Sequence, residues 1–168
     1  MALAQIELYT GDTEVAWRHV DTQMKPLEKS MLLRIQGLRI EATYLRARLA
    51  LATASGGQLQ RRLQIASRLA DQLAKEHMGW SNPMAAVVRA AIAKRRGEDA
   101  QAAALITQAI AGFEAADMAL YAAAARRRLG EVVGGDRGQE LTVQADESMR
   151  KQQIKNPVAF ANLLMPIC

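Results

Sequence analysis

The chain is poor in most of the residues that chemistry at a protein site usually needs. It has one cysteine, Cys168, two histidines, His19 and His77, and only 4% aromatic residues. A single cysteine excludes an intrachain disulfide and fits a reducing compartment such as the cytoplasm. As a nucleophile, Cys168 would need a base or a helix N-terminus to lower its thiol pKa, and neither is expected there. His19 and His77 are far apart in sequence, with no cysteine or paired acid at ligand spacing. Zinc needs three or four converging donors, so no metal site is expected. The phosphate-binding GxxxxGK[ST], the His-Arg-Asp triplet and the Asp-Phe-Gly triplet of kinases are all missing. The sequence therefore offers no catalytic residue and no cofactor site. Arginines interrupt every apolar stretch before it reaches the length of a membrane span. The opening MALAQIELYTGD lacks the charged and apolar regions of a signal peptide. No segment alternates like a β-strand.

The charge is mildly basic and even. The net charge is +5, with 11 basic and 8 acidic residues in 1–80 and 11 and 9 in 81–168. Neither a basic arm nor an acidic tail marks an electrostatic partner. The runs Arg61-Arg62, Lys94-Arg95-Arg96 and Arg126-Arg127-Arg128 lack the interleaved aromatics on which bases stack, and no helix-turn-helix stands out, so nucleic acid is not an expected partner. They read instead as cations near helix C-termini, or as arginine stems covering apolar surface. Glu98-Asp99 reads as a helix start, Asp146-Glu147 as a solvated face, and Trp17 and Trp80 as packing residues.

What the chain does have is alanine, the strongest helix former, and glycine at recurring intervals. Gly11, Gly56-Gly57, Gly97 and Gly134-Gly135 punctuate helical patterns at spacings near 40 residues. The patterns predict helices over 2–9, 12–25, 30–54, 58–78, 81–96 and 118–133, one between Gly97-Glu98-Asp99 and a break near Ala116-Asp117, another marked by Leu141, Ala145 and Met149 after Gly134-Gly135, and a short one after Asn156-Pro157. Pro26 is expected to end the second. Leu38, Ala42, Leu45, Leu49 and Ala52 fall on one face of the third, with Arg39, Arg46 and Arg48 off it. Leu59, Leu63, Ala66, Ala70 and Leu73 repeat the stripe, as do Ala102, Ile106, Ala109, Ile110 and Phe113. Helical pairs separated by regular turns are the signature of an α-solenoid. The fold class expected is all-α, a superhelix of about four helical hairpins with a short C-terminal cap helix, forming one domain over 1–168.

With Gly97 as a turn glycine, Ala90, Ala102 and Ala109 occupy the small-residue positions of a tetratricopeptide repeat, and Gly11 with Ala16 repeats part of that pattern. The spacing exceeds the standard 34 residues. The stretch GFEAADMALYAAAARRRLGEVVGGDRG over 112–138, followed by ADESMRKQQIKNPVAFANLLMPIC over 145–168, resembles the C-terminal tetratricopeptide-like region of bacterial multidomain serine/threonine protein kinases and signalling ATPases. The resemblance covers about 80–168 closely and 1–79 loosely. It implies a cytoplasmic sensing or partner-binding module, with any kinase or ATPase activity in sequence outside this chain. Together with the short first helix, it leads to the expectation of a piece of a larger protein.

In such arrays the first helices line a concave groove. By the Gly97 register that groove would present Met84, Val87, Ala91 and Lys94 to a protein or peptide partner, or to neighbouring domains of the same polypeptide. An effector arm of a transcriptional regulator and a free-standing adaptor are the alternatives. Leu3, Ile6 and Leu8 at the N-terminal edge lack a polar cap, and self-association through that edge is expected. Neither nucleic acid nor membrane is an expected partner.

Overall fold

The computed structural model describes residues 2–167, and every regular element among them is helical. The helices are α1 (Ala2–Thr10), α2 (Thr13–Lys29), α3 (Gln36–Ala52), α4 (Leu59–Ala74), α5 (Ser81–Arg95), α6 (Asp99–Ala115), α7 (Ala119–Val133), α8 (Gly135–Lys151) and α9 (Pro157–Leu164). Consecutive helices pack on one another from α1 to α4 and on through α8. This is an all-α superhelix of four hairpins followed by a short C-terminal helix.

The turns are built as the glycines suggest. Gly11, Gly97 and Gly134 have φ of +94°, +77° and +65°, a conformation that costs a side-chain-bearing residue. Ala16, Ala90, Ala102 and Ala109 are fully buried where the helices approach. α7 and α8 approach closely where Gly130 faces Gly138. A Cβ on Gly130 would lie 2.5 Å from the Gly138 carbonyl oxygen.

Two boundaries differ from expectation. Pro26 lies inside α2, which runs one more turn to Lys29. Proline adopts a helical φ itself, and what it removes is a single N–H donor; Ser30 then closes the helix, its N–H reaching the Pro26 and Leu27 carbonyls and its Oγ donating to Leu27. The long helix expected from residue 30 is split. Ser30 accepts from the Leu32 N–H and begins a 3-10 turn, Met31–Arg34, and the α-helix starts only at Gln36.

Burial departs from a single stripe on α3 and α5. On α3, Ala42, Leu45 and Leu49 are buried as expected, but Leu38 is exposed while Ile40, Tyr44 and Arg48 are buried on the other side. On α5 nearly every residue from Pro83 to Ala93 is buried, with Arg89 the exposed exception. These helices are covered on two faces. α8, by contrast, buries only Gly138, Ala145 and Met149.

Candidate functional site

On α3 the cover on the second face is the chain's own C-terminal end. Asn156 starts α9 by accepting from the Ala159 N–H, with Pro157 at the first helical position. The exposed stretch Gln152 and Gln153 and the exposed Lys155 lead into it from α8. α9 then packs against α7 and α8 and also against α1, so that the two ends of the superhelix meet. Ala161, Leu164, Met165 and Ile167 join the main core.

Three polar side chains from two other helices hold this segment. The Tyr44 hydroxyl of α3 donates to the Leu164 carbonyl at 2.7 Å. One turn on, Arg48 Nη1 donates to the Leu163 carbonyl at 2.7 Å. Arg128 of α7 donates from Nη2 to the side-chain oxygen of Asn162. Arg48 and Arg128 are only 1% and 2% exposed, the largest fully buried side chains of the protein. Burying a cation is costly unless its hydrogen bonds are met. Leu163 and Leu164 belong to the last turn of α9, whose carbonyls lack helical donors and carry the negative end of the helix dipole.

Around this grip lies a coupled set of groups. The Arg48 guanidinium stands 4.9 Å from the centre of the Tyr44 ring. Tyr44 lies near Tyr121 of α7, ring centres 6.5 Å apart, and Tyr121 packs on Phe113 at 5.2 Å. Burial pushes the Tyr44 hydroxyl well above its ordinary range, so it remains a donor at any physiological pH. Burial raises the Glu41 carboxyl as well, partly offset by the charge of Arg48. Arg127 Nε donates to Asp146 at 2.9 Å, and Arg127 and Arg128 both pair with Glu131. Arg150 lies 3.9 Å from Asp146.

The residues expected to line an open groove are in the core instead. Met84, Val87 and Ala91 are 0%, 1% and 1% exposed. The reason is that α5 packs against α4, α6 and α3 at once, so that the side expected to stay open is covered by neighbouring helices. Lys94 remains half-exposed and pairs with Asp99 at 3.0 Å. The basic runs are also structural. Arg95 donates to the Ala54 carbonyl at 2.8 Å, and Arg62 lies 3.6 Å above the Trp17 ring. Arg126-Arg127-Arg128 sits inside α7, which has no basic residue in its last turn. Trp17 is buried and Trp80 half-buried.

A second concavity, a groove of about 700 Å³ by volume, opens at the N-terminal hairpin between Leu3, Val20, Met24, Leu27, Leu32 and Leu45. His19 on its rim pairs with Glu7 at 2.8 Å. Of the residues expected at the uncapped edge, Leu8 is buried, while Leu3 and Ile6 are 57% and 60% exposed. Among the described residues no three His, Cys, Asp or Glu side chains gather as metal ligands would. Cys168 lies outside them. No helix among them is long and apolar enough to cross a membrane.

No protein-family model matches the chain, and no curated protein or solved structure shows significant similarity to it.

Proposed function

We propose that this protein is a non-catalytic interaction module that binds short helical segments on the first-helix side of its superhelix. The observation that supports this most directly is the mode of holding α9: the buried donors of Tyr44 and Arg48 meet main-chain carbonyls, which any helix end presents. Such a site recognises a helix C-terminus with little regard to its sequence, and apolar contacts supply the selectivity. In this reading α9 is the resident occupant, and a partner segment binds by taking its place. A tethered occupant competes at a high effective concentration, so partner binding is graded and reversible.

The cellular setting we infer is cytoplasmic signal transduction, with this chain as the C-terminal repeat region of a bacterial serine/threonine protein kinase or ATP-binding signalling protein. That part rests on the resemblance carried by residues 112–138 and 145–168. Reading the DNA upstream of the Met1 codon tests it. An in-frame kinase or ATPase module supports the assignment, and a stop codon followed by a ribosome-binding site favours a free-standing adaptor.

The binding mode has its own test. Helical segments selected from a displayed peptide library on the full chain are expected to be displaced by a peptide of residues 156–167. Binders that this peptide leaves untouched would place recognition on another surface and contradict the proposal.

A second reading has one observation in its favour. Leu3 and Ile6 remain exposed beside the N-terminal groove, and we infer that two copies associate there at high concentration. Light scattering is expected to show dimers that Leu3→Glu with Ile6→Glu returns to monomers.

A further inference from the structure

We propose that the turn between α2 and α3 docks on the surface of an anionic lipid bilayer, its apolar side chains entering the interface and its cations meeting the headgroups. This goes beyond the helix-binding reading above and uses other residues.

Exposed apolar side chains are unevenly spread over the molecule. Among the described residues, every exposed leucine, isoleucine, methionine and tyrosine falls within 3–38, and beyond them the large apolar side chains left exposed are Val133, Val143 and Val158. The densest group is at the 3-10 turn, where Met31, Leu32 and Ile35 are 64%, 50% and 57% exposed. Leu32 also lines the groove of the N-terminal hairpin together with Leu3, which joins the turn and α1 in one apolar surface. Such a patch on a protein in water marks a place of contact. The turn is also preformed. It packs on the two helices it joins, and Arg39 Nη1 donates to the Leu33 carbonyl at 2.9 Å while Nε and Nη2 hold Glu76. Docking therefore orders little that is not already ordered.

The charges beside the patch indicate what it contacts. Lys25 and Lys29 are four residues apart on α2, hence on one face, and Lys29 lies in its last turn next to the patch. Arg34 follows Met31 by three residues, the spacing at which side chains of a 3-10 turn lie over one another. All three are exposed, and none forms an ion pair among the described residues. Glu28 is the one acid between Lys25 and Leu38, so three cations and one acid give 25–38 a net charge of +2. Cations flanking exposed apolar side chains on one short segment complement a bilayer surface, where anionic headgroups overlie hydrocarbon. A second copy meeting this face about a twofold axis would set the same cations against each other. No helix among the described residues is long and apolar enough to cross a membrane, so the contact is interfacial.

The test is co-sedimentation of the full chain with vesicles of phosphatidylcholine, alone or with about a third phosphatidylserine. Binding to the anionic vesicles is expected to be at least about tenfold tighter than to the neutral ones, and to weaken as salt is added. Met31→Glu with Ile35→Glu is expected to abolish it, and Lys25→Gln with Lys29→Gln and Arg34→Gln to weaken it at least about tenfold. All five side chains are exposed, so circular dichroism is expected to stay helical. Equal binding to both kinds of vesicle, binding to neither, or binding that the Met31→Glu, Ile35→Glu chain retains overturns the proposal. Loss of self-association in that chain, with no vesicle binding by the unaltered one, makes a second copy the partner and likewise overturns it. Should a glutamate variant unfold, Met31→Trp decides the matter. Its emission is expected to shift to the blue on anionic vesicles and to be quenched by brominated acyl chains, and an unchanged emission overturns the proposal. None of these outcomes bears on the displacement of α9, which the peptide competition tests separately.

Discussion

Single side chains here are tuned by how they are covered. Tyr44 and Arg48 sit four residues apart on α3 and act as one unit, a hydroxyl and a guanidinium directed at adjacent carbonyls. Tyr44→Phe keeps the ring and removes the donor, leaving the Leu164 carbonyl buried and unpaired. It is expected to cost about 1–3 kcal/mol, measured by urea denaturation, with the faster amide exchange confined to α9. A second pair makes a pH-dependent contribution to stability. Arg39 holds Glu76 through bonds of 2.6 and 2.7 Å, Gln36 adds another donor, and together they keep the Glu76 carboxyl below its ordinary range. The folded pKa is below the unfolded one, so this stabilisation is present above the usual carboxylate range and is lost as pH falls through the folded value. Glu41 works in the opposite sense. Burial raises it, so its unfavourable contribution grows as pH rises through the carboxylate range. Glu76→Gln is expected to lower the urea midpoint at neutral pH and to flatten its decline in acid; an unchanged acid limb would contradict the assignment. None of these polar roles was legible in the sequence. Arg48 lies off the apolar stripe of its helix, and the carbonyl it meets is 115 residues away.

At the scale of elements, local signals were reliable wherever the constraint was local. The glycine breaks mark real turns, and the alanines at fixed offsets from Gly97 mark real contacts, since backbone conformation and helix spacing depend on the residues in place. The split at 30–36 was hidden because Ser30 serves equally as a cap for a 3-10 turn or for an α-helix. The α7–α8 crossing was hidden too. Gly130 and Gly138 lie inside helical patterns and look like weak helix formers rather than a point of contact. Their mutual approach makes a firm expectation: Gly130→Ala puts a methyl 2.5 Å from backbone oxygen and is expected to destabilise by about 1–3 kcal/mol or more, since the helices must separate. Gly57→Ala, where an added Cβ meets nothing within 4 Å, is the control and is expected to leave the thermal midpoint nearly unchanged. Similar losses at both positions would contradict the close-packing argument. Asn156→Ala removes the α9 cap and is expected to cost about 1 kcal/mol, again visible mainly in α9.

For the whole molecule, the decisive fact is that the superhelix is closed on itself. Repeat periodicity foretold the hairpins and placed Met84, Val87 and Ala91 on the first-helix side, but periodicity describes neighbours and is silent about ends. It had no means of placing a terminal helix against α1, α3 and α7 at once. The residues expected to line a groove are buried among neighbouring helices, and in the proposed reading binding is an exchange between tethered and free segments. That exchange requires α9 to open as a unit of its own, with less free energy than global unfolding. Native-state hydrogen exchange resolved along the full chain measures this directly. The expected result is that the amides of α9 exchange through an opening that leaves α3 to α7 protected, and that Tyr44→Phe speeds exchange in α9 about fivefold or more without changing those helices. Exchange of α9 only through global unfolding, at the same rate as α5, would contradict a displaceable occupant and with it the proposed mode of binding.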